Sequence, residues 1–300
     1  VEYKDGWYWQ MALDPGVVEI QTKPSTAKEL RALKERMQRD IFGTAAKTGL
    51  VKSATEPRPG LVPFRQVGGG HIHIGNDTAF GNDAKLFRNF LVDYSNHAGL
   101  ALGALGDDQI NAKALASLSA EQRAGFAKAI QEFDDGKITT IEELSAAIEK
   151  YSYADPHRSA KYNAVSVKRA NDSKMAAHEK TTEIRALRAQ RNPDEFLRQA
   201  ELLVPRINRL KTLTEPIPYI NQAAKDLSER DLVSHFNSYI KGAGLDPDNY
   251  KSLLPTDLRR IYETGDFSPK PLLAFSPAPH PTPSLACKAQ VESLLHSVVK

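Results

Sequence analysis

The residues best suited to chemistry lie in one short stretch, Gly68-Gly69-Gly70-His71-Ile72-His73-Ile74-Gly75. It predicts a strand entered through three glycines. Side chains alternate faces along a strand, so His71 and His73 point one way, and Ile72 and Ile74 the other way, into a core. Glycine has no Cβ, so another backbone or a ligand can come close there. Two imidazoles on a polar face, beside bare backbone, suit a metal ion or a phosphate.

Two further stretches share this character. Val17 to Thr22 places Val17, Glu19 and Gln21 on one face, and Val18, Ile20 and Thr22 on the other. Lys180 to Arg188 places Thr181, Glu183, Arg185 and Leu187 on one face and directs Thr182, Ile184 and Ala186 to a core. An acidic residue within a β-branched strand is disfavoured unless its face is wet or occupied. For Glu19 alone, the plain solvated face of a half-exposed sheet is the simpler account. Taken together, the three strands are most simply assembled into one sheet, with the apolar face on helices and the charged face lining a cleft. Carboxylates with an imidazole form a hard, mostly oxygen site that suits Mg²⁺ or Mn²⁺. Arg158, Lys161 and Arg185 are cations able to hold phosphates through charge-assisted hydrogen bonds.

The elements that must position these residues follow in order. Trp7 to Leu13 reads as a strand, joined to the next through the turn Asp14-Pro15-Gly16. Ser25 or Thr26 caps a helix running to about Phe42, with Leu30, Leu33 and Met37 on one stripe. Gly49 to Pro63 is a Pro- and Gly-containing loop, and Asn76 to Phe80 reads as a turn. Asp83 to Leu105 reads as one long helix with Phe87, Phe90, Leu91 and Tyr94 on its buried side. Two shorter helices follow, each opened by capping-box spacing: Ser119 with Gln122, and Thr140 with Glu143. Asp134-Asp135-Gly136-Lys137 between them is a tight turn, without the twelve-residue ligand loop of a calcium site. Tyr162 to Lys168 alternates like a strand, and Arg169 to Glu179 is a charged loop. A helix from Asn192 to about Lys211 contains Pro205, which should kink it. After Thr212 the pattern becomes helical: Ala223–Leu227, Glu229–Ala243 and Asp248–Tyr262. Ser268 to Pro283 holds six prolines and reads as an extended strap, and Leu285 to Val299 as a last amphipathic helix.

Composition narrows the class. At 300 residues the chain can bury a substantial core. Forty basic residues are interspersed with 37 acidic ones for a net charge of +3, which argues against a nucleic-acid binder with its basic stripe. No apolar run approaches the roughly 20 residues that span a bilayer, and no signal peptide is evident. The single cysteine, Cys287, fits a reducing, cytoplasmic setting.

Asp14-Pro15-Gly16-Val17-Val18-Glu19, Gly69-Gly70-His71-Ile72-His73-Ile74-Gly75 and Thr182-Glu183-Ile184-Arg185 occur in an order that resembles the glutamine synthetase catalytic domain. The same order is similar to the related carboxylate–amine ligases: glutamate–cysteine ligases and the bacterial amidoligase group. The resemblance runs from about Trp7 to Leu187. It implies an α+β fold in which an antiparallel sheet forms a catalytic funnel backed by helices. ATP enters at one end and an acid substrate at the other. The corresponding division is a catalytic domain over residues 1–211 and a helical C-terminal region over 212–300. By the same resemblance, Glu19 binds a metal near the amine site, His71 binds the metal that holds the nucleotide phosphates, and His73 lies close to the nucleotide. Glu183 is a further metal ligand and Arg185 stabilises the transferred phosphoryl group. Arg158 and Lys161 match further phosphate-binding cations by region only. The family's earlier Glu-x-Glu strand has no counterpart ahead of Glu19, where Glu2 stands alone.

The implied activity is ATP- and Mg²⁺- (or Mn²⁺-) dependent formation of an amide or isopeptide bond through an acyl phosphate. The partners would be a small amino acid and an amine, or a protein side chain. Some bacterial toxins of this fold cross-link actin, which would place such a domain in a host cytosol. The residues themselves leave two alternatives open: a zinc-dependent hydrolase using His71, His73 and a carboxylate, or a non-catalytic relative that binds a nucleotide or a protein.

Overall fold

The computed structural model describes residues 1–14, 17–47, 69–105, 113–154 and 163–265. The loop expected over Gly49–Pro63, the proline strap, the last helix, and Arg158 and Lys161 lie outside them. The described residues are α+β and fall into two compact units, one of residues 1–33 and one of residues 34–265.

The first unit is built on a hairpin. Strand β1 (Trp9–Asp14) pairs antiparallel with β2 (Val17–Thr22), from Trp9 opposite Thr22 to Asp14 opposite Val17. Tyr3 and Trp7 lie ring against ring at 5.5 Å, and Tyr3 Oη accepts the Trp9 indole N–H at 3.3 Å. Lys23 donates to the Gly6 carbonyl at 2.9 Å. Helix α1 (Ala27–Ala32) begins at Thr26, whose hydroxyl accepts from Glu29 N at 3.2 Å while the Glu29 carboxylate accepts from Thr26 N at 2.7 Å. The helix expected to run on to Phe42 is interrupted at Leu33 (φ −90°, ψ 2°).

In the second unit that helical run resumes as α2 (Lys34–Met37), a π-helical turn (Gln38–Phe42) and α3 (Gly43–Lys47). A three-stranded antiparallel sheet follows, with β3 (Gly69–Gly75), β4 (Val165–Ser166) and β5 (Thr181–Arg188) in the spatial order β3-β5-β4. Only two residues of the strand expected over Tyr162–Lys168 pair as strand β4. Asn76–Phe80, read as a turn, is the short helix α4, closed by Gly81 in the left-handed region at φ 59°.

Helix α5 (Ala84–Asn96) is the centre of the unit. Its N-cap Asp83 accepts from Lys85 N and Leu86 N, and ten of its 13 residues are buried. A helix buried nearly all round needs partners for its polar residues. Arg88 forms a two-point ion pair with Asp134 (3.0 and 2.7 Å) at the end of α6 (Ala120–Asp134). Asn89 accepts from Ile217 N at 3.0 Å, and Asn96 both accepts from Ile220 N (2.8 Å) and donates to the Pro218 carbonyl (2.9 Å). These carboxamides give an extended segment the hydrogen bonds a sheet neighbour would supply. Asp93 pairs with Arg206 of helix α8 (Pro193–Leu210), which continues through Pro205.

Helix α5 was expected to reach Leu105. It ends at Asn96, and a π-helical turn occupies Leu100–Ala104. The break holds Gly99, where a Cβ would stand 2.3 Å from the Leu232 carbonyl oxygen, so another helix has its backbone against the chain there. Helix α7 (Ile141–Tyr151) packs on α6, and both open with the capping boxes read from the sequence, Ser119–Gln122 and Thr140–Glu143. Helices α9 (Glu229–Gly242) and α10 (Thr256–Thr264) contribute Phe236, Tyr239, Ile240, Leu258 and Ile261 to the same core as Phe87, Phe90 and Ile184. That core is continuous across residue 212. The helix expected over Asp248–Tyr262 is divided into two 3₁₀ turns and α10, because Pro255 has no N–H to continue a helix and stands at the α10 N-cap.

Candidate functional site

Strand β5 is the middle strand and carries the site. On one side Ile72, Ile74, Ile184 and Ala186 face the core. Thr182 shares that side, fully buried, and its hydroxyl donates to Asn76 Oδ1 at 2.8 Å, which ties the exit of β3 to β5.

The other face is polar, as the alternation predicts. His73 stands opposite Glu183 in the β3–β5 register, and Ser166 of β4 stands opposite Glu183 on the far side. Glu183 Oε1 is the meeting point. Arg185 Nη1 donates to it at 2.6 Å, His71 Nδ1 lies at 3.2 Å and His73 Nε2 at 3.6 Å. His73 is held from its other nitrogen, with Nδ1 3.0 Å from Thr181 Oγ1. Exposure grades across the cluster: the Glu183 side chain is 8% exposed, Arg185 13%, His71 23% and His73 45%. The carboxylate is thus the buried floor of the cluster and the imidazoles its more exposed rim.

A register shift shapes this face. Gly70 pairs with Leu187 but Ile72 with Ile184, so β5 has one residue more than β3 across this interval. The extra residue is a β-bulge, which twists the strand locally and re-aims side chains. It also corrects the expected parity beyond Arg185: Leu187, assigned to the polar face, is 1% exposed and belongs to the core. The bare backbone of Gly70 has an occupant of its own. A Cβ there would meet Gln190 Nε2 at 2.4 Å, and that carboxamide is bound to Gln199 and to the Arg188 carbonyl.

The predicted site residues divide accordingly. His71, His73, Glu183 and Arg185 are brought together on one strand face. Glu19 lies half-buried on β2 opposite Ala12. The expectation that its strand joins the same sheet is corrected: strands separated by two residues close on each other as a hairpin, and β1–β2 is a sheet of its own. The alternation puts Thr181 on the polar face without showing its role as the partner of His73, and Ser166 of β4, opposite Glu183, is not singled out. Their signal was the strand parity alone.

Among the described residues, no three His, Cys, Asp or Glu side chains are arranged to hold a metal ion by themselves. The donor chemistry at β3–β5 is an imidazole nitrogen and a carboxylate oxygen 3.2 Å apart. That separation suits two neighbouring ligands of one ion at about 2.0–2.2 Å each. Mg²⁺ commonly rests on one or two carboxylates with water and phosphate oxygens completing the set, so of this pair the Glu183 carboxylate is the donor type it favours. A zinc hydrolase needs three protein donors on one ion, which the described residues do not arrange.

No family model matches the chain, and comparison with curated proteins and with solved structures found no match. No helix among the described residues is long and apolar enough to cross a membrane.

Proposed function

We propose that the polar face of β3 and β5 is the catalytic face of an ATP- and Mg²⁺-dependent carboxylate–amine ligase with a glutamine synthetase-like funnel. One observation carries the reading: two imidazoles, a carboxylate and a guanidinium, from strands far apart in sequence, gather at Glu183 Oε1. The ordered resemblance of the three strand motifs supports it.

In this reading His71 and Glu183 would hold Mg²⁺ or Mn²⁺. Such an ion would supply neutralisation of phosphate charge. His73 and Arg185 bind the nucleotide phosphates, assisted by Arg158 and Lys161. A substrate carboxylate attacks the γ-phosphorus, the bond to the β-phosphate bridging oxygen breaks, and ADP leaves. Arg185 is the group that meets the charge developing on the transferred phosphoryl. The amine then attacks the acyl phosphate carbon, phosphate leaves with the bonding pair, and the amine gives up its proton to a base. Products are an amide or isopeptide, ADP and phosphate. Thr181 keeps the His73 ring in place during this sequence.

Phosphate release from Mg·ATP, screened over amino acids, amines and candidate proteins including actin, tests the reading. We expect release that depends on one acid–amine pair and falls at least about 100-fold in His71→Ala. Equal release from His71→Ala, or none with any pair despite nucleotide binding, overturns it. The second outcome selects a non-catalytic nucleotide-binding relative. One observation favours that reading: Arg185 already neutralises Glu183 at 2.6 Å.

A further inference from the structure

The ligase reading makes no use of a second cluster of ionisable groups, located where α9 packs on the chain leaving α5. His97 closes α5, and its Nδ1 donates to the Asp93 carbonyl oxygen at 2.7 Å. The Asp93 carboxylate lies 3.5 Å from the same nitrogen, but Arg206 of α8 has engaged it at two points. Arg206 also donates to the Tyr239 carbonyl at 3.1 Å and lies over the Tyr239 ring at 4.7 Å. From α9, the Tyr239 ring stands edge-on to His97 at 5.3 Å and the His235 ring edge-on at 6.4 Å. The side-chain nitrogen His235 Nδ1 is buried and has no hydrogen-bond partner among the described residues, and the same holds for the Tyr239 hydroxyl. Between the two histidines the backbones nearly touch, since a Cβ on Gly99 would stand 2.9 Å from His235 Cβ.

We propose that His97 and His235 form an acid-sensitive latch: both neutral, they let α9 dock on the end of α5, and proton uptake by the pair releases it. The charges around them decide this. Among the described residues the anion beside His97 is Asp93, and its charge is matched by Arg206, so a proton on His97 adds to a neutral pair with a guanidinium at hand. A second proton on His235 faces the first across the ring–ring contact and leaves a buried N–H without an acceptor. Asp231, one turn back on α9, is the anion on the His235 side, and it already caps Ser228. Burial pushes the Tyr239 hydroxyl well above its ordinary value, so it is neutral in this range.

Burial holds His97 below the ordinary histidine value, and burial together with His97 does the same for His235. The sign follows. Above the ordinary value both folded and unfolded chains carry neutral imidazoles, and the docking is complete. As the pH falls through that value the unfolded chain, or a chain with α9 undocked, takes up protons that the docked state refuses, and docking weakens.

Two measurements on the full chain test the latch. In proton NMR, with His97→Gln and His235→Gln assigning the resonances, both imidazoles titrate below the ordinary histidine value; titration of either at or above it overturns the proposal. In hydrogen exchange corrected for intrinsic rates, amides of Leu232–Ile240 exchange at least about tenfold faster at about pH 5.5 than at about pH 7.5, while β5 amides do not change. The double variant loses that acceleration. Equal acceleration in the double variant, acceleration shared with β5, or none in the parent chain contradicts it; if the double variant does not fold, the titration and the parent chain's α9-versus-β5 contrast decide.

Discussion

Arg206→Met lowers the unfolding free energy by about 3–5 kcal/mol, the largest loss expected from a single substitution in this chain. Arg206 is 8% exposed and the Asp93 side chain 3%, so the guanidinium is the cation that compensates a carboxylate largely shielded from water. Removing it strands Asp93 as a buried charge, frees the Tyr239 carbonyl, and takes away the cation stacked on the Tyr239 ring. The pair joins α5 to α8, and through Tyr239 to α9, so the loss is global. Urea unfolding followed by circular dichroism measures it. The double variant Asp93→Leu/Arg206→Met recovers most of the loss, because an apolar pair of similar volume has no charge to desolvate. A single substitution costing under about 1 kcal/mol would mean that the pair is solvated and that α5 is not the buried centre described above.

Glu183→Gln is expected to cost both activity and stability. On the ligase reading phosphate release falls at least about 100-fold, since the variant loses the proposed metal ligand and the anchor of Arg185 and His71 at once. Stability falls by about 2–3 kcal/mol, because Arg185, 13% exposed, then lacks the charged acceptor it holds at 2.6 Å. His71→Ala separates the two effects: the His71 side chain is 23% exposed, and its removal lowers turnover while leaving the Arg185–Glu183 pair and the fold in place. A Glu183→Gln protein with full stability would show that the carboxylate is not what gathers this face. Full turnover with reduced stability would show that the cluster is structural.

Local signals were legible in the sequence where the physics is local. Capping boxes at Ser119 and Thr140 depend on residues three apart and lie where the sequence places them, and Thr26, one of the two caps offered for the first helix, forms another. Strand parity grouped His71 with His73 and Glu183 with Arg185, and the β3–β5 register then brought the groups together. The β-bulge was not legible, because no residue in Thr181–Arg188 announces it, and so Leu187 was assigned to the wrong face. Arg88, Asn89 and Asp93 within an apolar helix have the look of a solvated side; only neighbours more than 40 residues away in sequence make them buried partners. The hairpin of Glu19 was written in its two-residue connection, and the assumption of a single sheet overrode that signal. His97 and His235 come together from separate helices, with no spacing to mark them.

The central claim is that a divalent ion and a triphosphate are held on the face formed by His71, His73, Glu183 and Arg185. Paramagnetic broadening tests it directly: Mn·ATP is added to the full chain at a low mole ratio, and the imidazole resonances of all histidines are followed with Mg·ATP as the diamagnetic control. The account predicts that His71 and His73 broaden first and that His97 and His235 keep their widths. Uniform broadening, or sharp His71 and His73 lines with the nucleotide bound elsewhere, would contradict it.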